Sequence, residues 1–265
     1  VLCSVKNGGG LGILVEGLGG ITKDAGSLFS RRGLEIFLGF GLPTMIGLLS
    51  GPFGDQCFWQ RGFCVKKEKI GKAFFVGAVL FGIVPLSMGI LGFIGAGMEY
   101  IATDTSVINF ELINILFPSG AVIAFLFMVV SGLLSTIDSN LCAISSLTTD
   151  IFKKTTLGKT KLVMIVLLLV GIIIANIPRL TVTHLFLMYG TLRAATLLPT
   201  MFTLKGVTLK SQGIVIGIVS AWMIGLPIFA YGNIQGIAIY KTIGSLLTVL
   251  LSGVIAFVVS RRRNL

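Results

Sequence analysis

Seven stretches of the chain are apolar along nearly their whole length: 35–60, 71–97, 120–150, 161–178, 183–204, 212–231 and 242–260. Runs such as VMIVLLLVGIII and LLTVLLSGVIAFVV are too long and too uniformly apolar for strands or for a soluble core. A bilayer core takes about 20 apolar residues in a helix. The pattern therefore predicts an all-α integral membrane protein with about seven transmembrane helices.

The polar connections between the stretches fix an orientation. Arg61, Lys66, Lys67, Lys69 and Lys72 fall on one side, followed by Lys153, Lys154, Lys159 and Lys161, then Lys205 and Lys210, then Arg261, Arg262 and Arg263. The opposite set holds only Lys6, Lys23, Arg31, Arg32, Arg179 and Lys241. Lys and Arg are retained on the cytoplasmic side, so the pattern predicts a multi-pass protein of the cell membrane with a cytoplasmic C-terminus. Segment 98–119, with Glu99, Asp104 and Glu111 and no Lys or Arg, then lies outside. Its INFELINILF run suits a short interfacial helix, either a lid or a simple connector.

Composition agrees with the pattern. Of 265 residues, 54% are hydrophobic and 12% charged, and mean hydropathy is +0.99. A soluble domain carries about 25% charged residues, so this chain cannot cover a water-facing surface. Despite the net charge of +11, a nucleic-acid partner is not expected; the lipid bilayer is. Four cysteines without a CxxC pair, and a single histidine, argue against zinc or redox chemistry. GxSxG, HExxH and Walker patterns are absent, so no enzyme is expected. The chain begins at Val1 without a visible signal peptide, and is expected to be part of a longer protein.

Polar groups inside spans are costly and mark candidate sites. In the third stretch they recur at 131, 135, 138, 139, 142, 145, 146 and 149, spacings that put them on one helical face. Hydroxyls and a carboxylate there, Asp138 among them, can replace the water shell of a hard cation; the same stripe also suits close helix packing. The first stretch, GFGLPTMIGLLSGPFGDQCFWQR, is dense in glycine and proline. Such breakers predict an interrupted helix around 48–54, of the kind that lines solute and ion sites in transporters. Arg193, in the fifth stretch, has three open roles: pairing with a substrate carboxylate, pairing with Asp138, or tying down a backbone carbonyl.

Two segments, GPFGDQCFWQR (51–61) and LLSTIDSNLCAISSLTTDIF (133–152), resemble the sodium:solute symporter family at the end of its broken sixth core helix and along its eighth. The resemblance implies a partial leucine-transporter-like inverted-repeat fold. Residues 1–34 would be the tail of a preceding helix plus a Gly-rich outer loop, 35–204 the second five-helix repeat, and 205–265 two further transmembrane helices with a basic cytoplasmic tail. It also implies that Na+ binds the hydroxyls of Ser135 and Thr136 and the carbonyl of Gly132. Leu48, Ser50 and Gly51 would line the solute pocket, faced by Arg193, with Asp138 and Gln56 in support. The first core helix, which completes the family's sodium site, would precede Val1. The expected activity is sodium-coupled symport of a small organic solute, with this chain a truncated part of the transporter. A sensor or receptor built on the same fold, or a non-functional remnant, are the alternatives.

Overall fold

The computed structural model describes every residue except 1, 25, 28, 103, 105–106, 153–155, 179 and 263–265. Lys153, Lys154, Arg179 and Arg263, used above for orientation, lie outside the described residues. Among the described residues the regular structure is helical, with no strand. Seven helical segments are long and apolar enough to cross a membrane, matching the seven stretches. By length and composition the chain is an all-helical, multi-pass membrane protein.

Contacts divide the chain into two compact units, residues 1–33 with 60–171, and residues 34–59 with 172–265. The first unit opens with two short helices, α1 (Leu2–Asn7) and α2 (Leu11–Gly17). The second of these lies in the stretch expected to be a Gly-rich loop. Gly8, Gly9 and Gly10 break the helix before it, the last two with positive φ. Gly17 lets α2 lie directly against a long helix, α6 (Ile70–Gly97): a Cβ there would run into the carbonyl of Phe93. The C-terminal end of α6 meets α7 (Ile108–Leu116), the helix expected from INFELINILF, and α8 (Ser119–Ile151). Leu91, Ile94, Leu112, Ile113, Leu116 and Val122 form a core at this end. Asn7 closes it by donating its side-chain amide to the Leu116 carbonyl at 2.8 Å.

Most of α6, α8 and α9 (Leu157–Ala175) is exposed apolar surface; only 6% of the most apolar window of each is buried. Such surface is costly in water and suits acyl chains.

The second unit holds the end of α3 (Arg31–Ile36), a π-turn at Phe37–Gly41, α4 (Leu42–Gly54), α10 (Val182–Leu204), α11 (Ser211–Gln235) and α12 (Ala238–Arg262). Its centre is α10, packed against α4, α11 and α12. A π-turn loosens the carbonyl ladder, and Thr242 donates its hydroxyl to the Leu38 carbonyl there at 2.6 Å. The two last helices form an antiparallel hairpin. Gly236, at φ 71°, supplies the left-handed residue that ends α11.

Along that hairpin, α11 buries Gly213, Gly217, Ala221, Gly225 and Phe229, one every four residues. Facing them on α12 are Gly244, Thr248, Ser252, Ala256 and Ser260. Small residues at this spacing let two helix backbones approach closely where lipid offers no hydrophobic drive. The buried hydroxyls are satisfied locally: Thr248 donates to the Gly244 carbonyl and Ser260 to that of Ala256.

Candidate functional site

Two places collect the polar groups of the spans, one in each unit. In the second unit it lies where α4 ends against α10. The chain was expected to break around 48–54, but α4 runs unbroken to Gly54, through Pro52. The break comes at Asp55, in extended conformation (φ −108°, ψ 117°). A short helix, α5 (Gln56–Phe63), follows at once. Asp55 caps it, its Oδ1 accepting the Cys57 N–H at 3.0 Å.

The glycines of α4 serve helix contact rather than interruption. A Cβ on Gly47 would sit 2.7 Å from the Cα of Gly190, and one on Gly54 would overlap the Thr196 hydroxyl. A Cβ on Gly51 would lie 3.3 Å from a terminal nitrogen of Arg193. Glycines 47, 51 and 54 thus form a notch into which α10 settles, with the guanidinium laid across it.

Arg193 is held on several sides. It donates through Nη2 to the Gly47 carbonyl at 2.8 Å, and Nη1 lies 3.4 Å from Asp55 Oδ2. Tyr189 covers the guanidinium with its ring, centroid 4.6 Å away, and donates its hydroxyl to the same Oδ2 at 3.2 Å. Both charged side chains are largely buried, 14% and 16% exposed. The Nε of Arg193 is buried without a partner. Of the three open roles for Arg193, the carbonyl tie is present, and the carboxylate beside it is that of Asp55.

Ser50 is fully buried and donates to the Ile46 carbonyl at 2.7 Å. Gly51 is buried beneath Arg193, whereas Leu48 is half exposed. These three expected pocket residues do not converge on one surface, because a helix turns consecutive side chains by about 100°. Gln56 follows Asp55 as the first residue of α5 and is partly buried.

The other place is the polar stripe of α8. Ser131, Gly132, Ser135, Thr136 and Asp138 are all exposed. Thr136 donates its hydroxyl to the Gly132 carbonyl at 2.9 Å, so two of the three expected sodium ligands stand side by side. The Thr136 hydroxyl oxygen keeps two acceptor lone pairs, whereas the Gly132 carbonyl, inside α8, accepts both the Thr136 hydroxyl and a helix N–H. Ser139 donates to the Ser135 carbonyl and Asn140 to that of Thr136, which loads the same turn with polar atoms. The end of α5 reaches this face: Arg61 donates to the Ser139 hydroxyl, and Gln60 to the Cys142 carbonyl, each at 3.4 Å. All these donors to a cation are oxygens, the ligand type of hard ions. Among the described residues no cluster of three His, Cys, Asp or Glu could hold a metal.

The partners of Arg193 missed in the sequence are Asp55, Tyr189 and Gly47. One signal was available for Asp55: a lone arginine in an apolar span needs a carboxylate or carbonyl, and Asp55 ends the neighbouring glycine-rich span. Tyr189, one helical turn before Arg193, follows from it. No protein-family model, curated protein or solved structure matches the chain.

Proposed function

We propose that this chain is part of a sodium-coupled symporter that carries a small organic solute across the cell membrane, with its C-terminus in the cytoplasm. The observation that carries the reading is the oxygen pair of Gly132 and Thr136, 2.9 Å apart on the exposed polar face of a membrane-length helix. The Thr136 hydroxyl keeps both lone pairs for a cation, Ser135 adds a hydroxyl on the adjoining face, and the Gly132 carbonyl joins them once the Thr136 hydroxyl turns its proton away. One turn of helix supplies too few ligands for a hard cation, which takes about six or more. The remainder come from a second segment, the role that the resemblance gives to a helix preceding this chain. On this reading 35–204 is the second repeat of a leucine-transporter-like core.

Sodium enters here as co-transported substrate. Binding can drive the solute step only if the ion prefers one of the two access states. The α8 stripe supplies that preference when its partner helix is close in one state and withdrawn in the other, the alternating-access scheme of such carriers. The solute sits near the end of α4, where Leu48 is the exposed member of the expected set and Ser50 and Gly51 are buried.

The test is uptake by the complete protein in proteoliposomes across a solute panel, with sodium varied against potassium. Ser135→Ala and Thr136→Ala are each expected to raise the sodium concentration for half-maximal uptake by about tenfold, the loss of one ligand worth about 1.4 kcal/mol. Unchanged sodium dependence in both variants removes the site.

A further inference from the structure

The Asp55–Arg193 pair does more than tie α4 to α10. An exposed guanidinium recognises a carboxylate through two parallel N–H bonds, at about 2.7–2.9 Å. Here Nη1 meets Asp55 Oδ2 at 3.4 Å through a single contact, and that oxygen is shared with the Tyr189 hydroxyl. Nη2 is committed to the Gly47 carbonyl, and Nε is buried with no partner. Arg193 therefore keeps unspent donor capacity beside a carboxylate that it meets through one long contact.

We propose that Asp55 is the resident anion of Arg193: the chain fills its own carboxylate-recognition site, the pair is neutral, and anionic solutes are thereby kept out. A second anion brought to this face would meet the Asp55 carboxylate in a poorly hydrated setting, where like charges repel strongly. The expected solutes are thus uncharged or internally neutral. This half of the proposal rests on the transporter reading; the anion site itself does not. Removing the Asp55 carboxylate leaves a buried, uncompensated guanidinium, and a small carboxylate such as formate can take the vacated place. Serine at 55 keeps an oxygen to cap α5 while freeing that space.

The experiment is thermal unfolding of the complete protein in detergent, titrated with sodium formate against sodium gluconate at constant ionic strength. Asp55→Ser is expected to gain a saturable rise in midpoint with formate, half-complete at a concentration at least tenfold below any response of the wild type. The Asp55→Ser/Arg193→Gln chain is expected to show no such rise. Equal formate response in wild type and Asp55→Ser, or a response retained without Arg193, overturns the proposal. Wild-type uptake gives a second readout that depends on no variant folding: neutral solutes are expected to be favoured at least tenfold over their carboxylate analogues. Preference for the carboxylate overturns the exclusion. Absence of all sodium-driven uptake defeats the transporter reading and leaves the formate titration to decide the anion site.

Discussion

Gly217 sits in the middle of the α11–α12 hairpin, and replacing it with alanine tests whether close backbone approach holds that pair. The added Cβ would lie 2.5 Å from the Ser252 carbonyl oxygen and 3.0 Å from the Ala256 amide nitrogen. Both atoms belong to the backbone of α12, so no rotamer change relieves the overlap. A carbon–oxygen contact relaxes at about 3.3–3.6 Å, which requires α12 to retreat by roughly 1 Å. A gap of that size forfeits a quarter to a half of each contact well of about 0.1–0.2 kcal/mol, and the loss spreads over a 25-residue helix. The better helix propensity of alanine returns up to about 1 kcal/mol. The expected net loss is about 1–3 kcal/mol, the usual cost of overpacking. Gly82 on α6 is the control, since a Cβ there meets nothing within 4 Å. Gly82→Ala should be neutral or stabilising. Unfolding of both variants by SDS titration in mixed micelles, followed by tryptophan fluorescence, gives the comparison. Equal stability of Gly217→Ala and Gly82→Ala would refute the packing argument.

Three further outcomes follow from individual contacts. In a double-mutant cycle, Asp55→Asn and Arg193→Gln should each destabilise by about 3 kcal/mol, since each strands a buried partner. The double variant should cost less than their sum by roughly 1–3 kcal/mol, read in the same SDS titration. Thr242→Val removes the hydrogen bond to the loosened Leu38 carbonyl and should cost about 1 kcal/mol, with faster amide exchange confined to the π-turn. The Tyr100 phenol donates to the Glu111 carboxylate at 2.9 Å, and that bond raises its pKa above the ordinary value. A raised folded-state pKa means that its contribution to stability is present in full below about pH 10 and is lost as pH climbs through the raised value. Glu111→Gln should bring the phenolate absorbance change back toward lower pH.

The number and type of the long helices were legible because a membrane span needs an unbroken apolar run, and nothing else in the chain imitates one. Local backbone chemistry was less legible. Glycines 47, 51 and 54 read as helix breakers, yet they make room for α10; the distinction rests on whether a partner helix lies opposite, which composition does not record. The break itself moved to Asp55, where a side chain able to cap the next helix offsets the lost backbone bond. The same ambiguity affects hydroxyl stripes. On α12 Thr248, Ser252 and Ser260 are buried packing residues bonded to their own helix, and Thr242 and Ser245 bond to Leu38 and Thr191. On α8 the stripe is exposed, and the oxygens of Gly132 and Thr136 stand together. Arg193 was visible as an anomaly, but its partner required a contact 138 residues apart in the chain.

The ion site is tested most directly by the thermal midpoint of the complete, solute-free protein in sodium against potassium at equal ionic strength. A bound ion stabilises the folded state in proportion to the logarithm of its saturation. Sodium, and not potassium, is expected to raise the wild-type midpoint saturably, and Thr136→Ala should need about tenfold more sodium for the same rise. A midpoint indifferent to which cation is present, or a sodium effect untouched by Thr136→Ala and Ser135→Ala, would contradict the account.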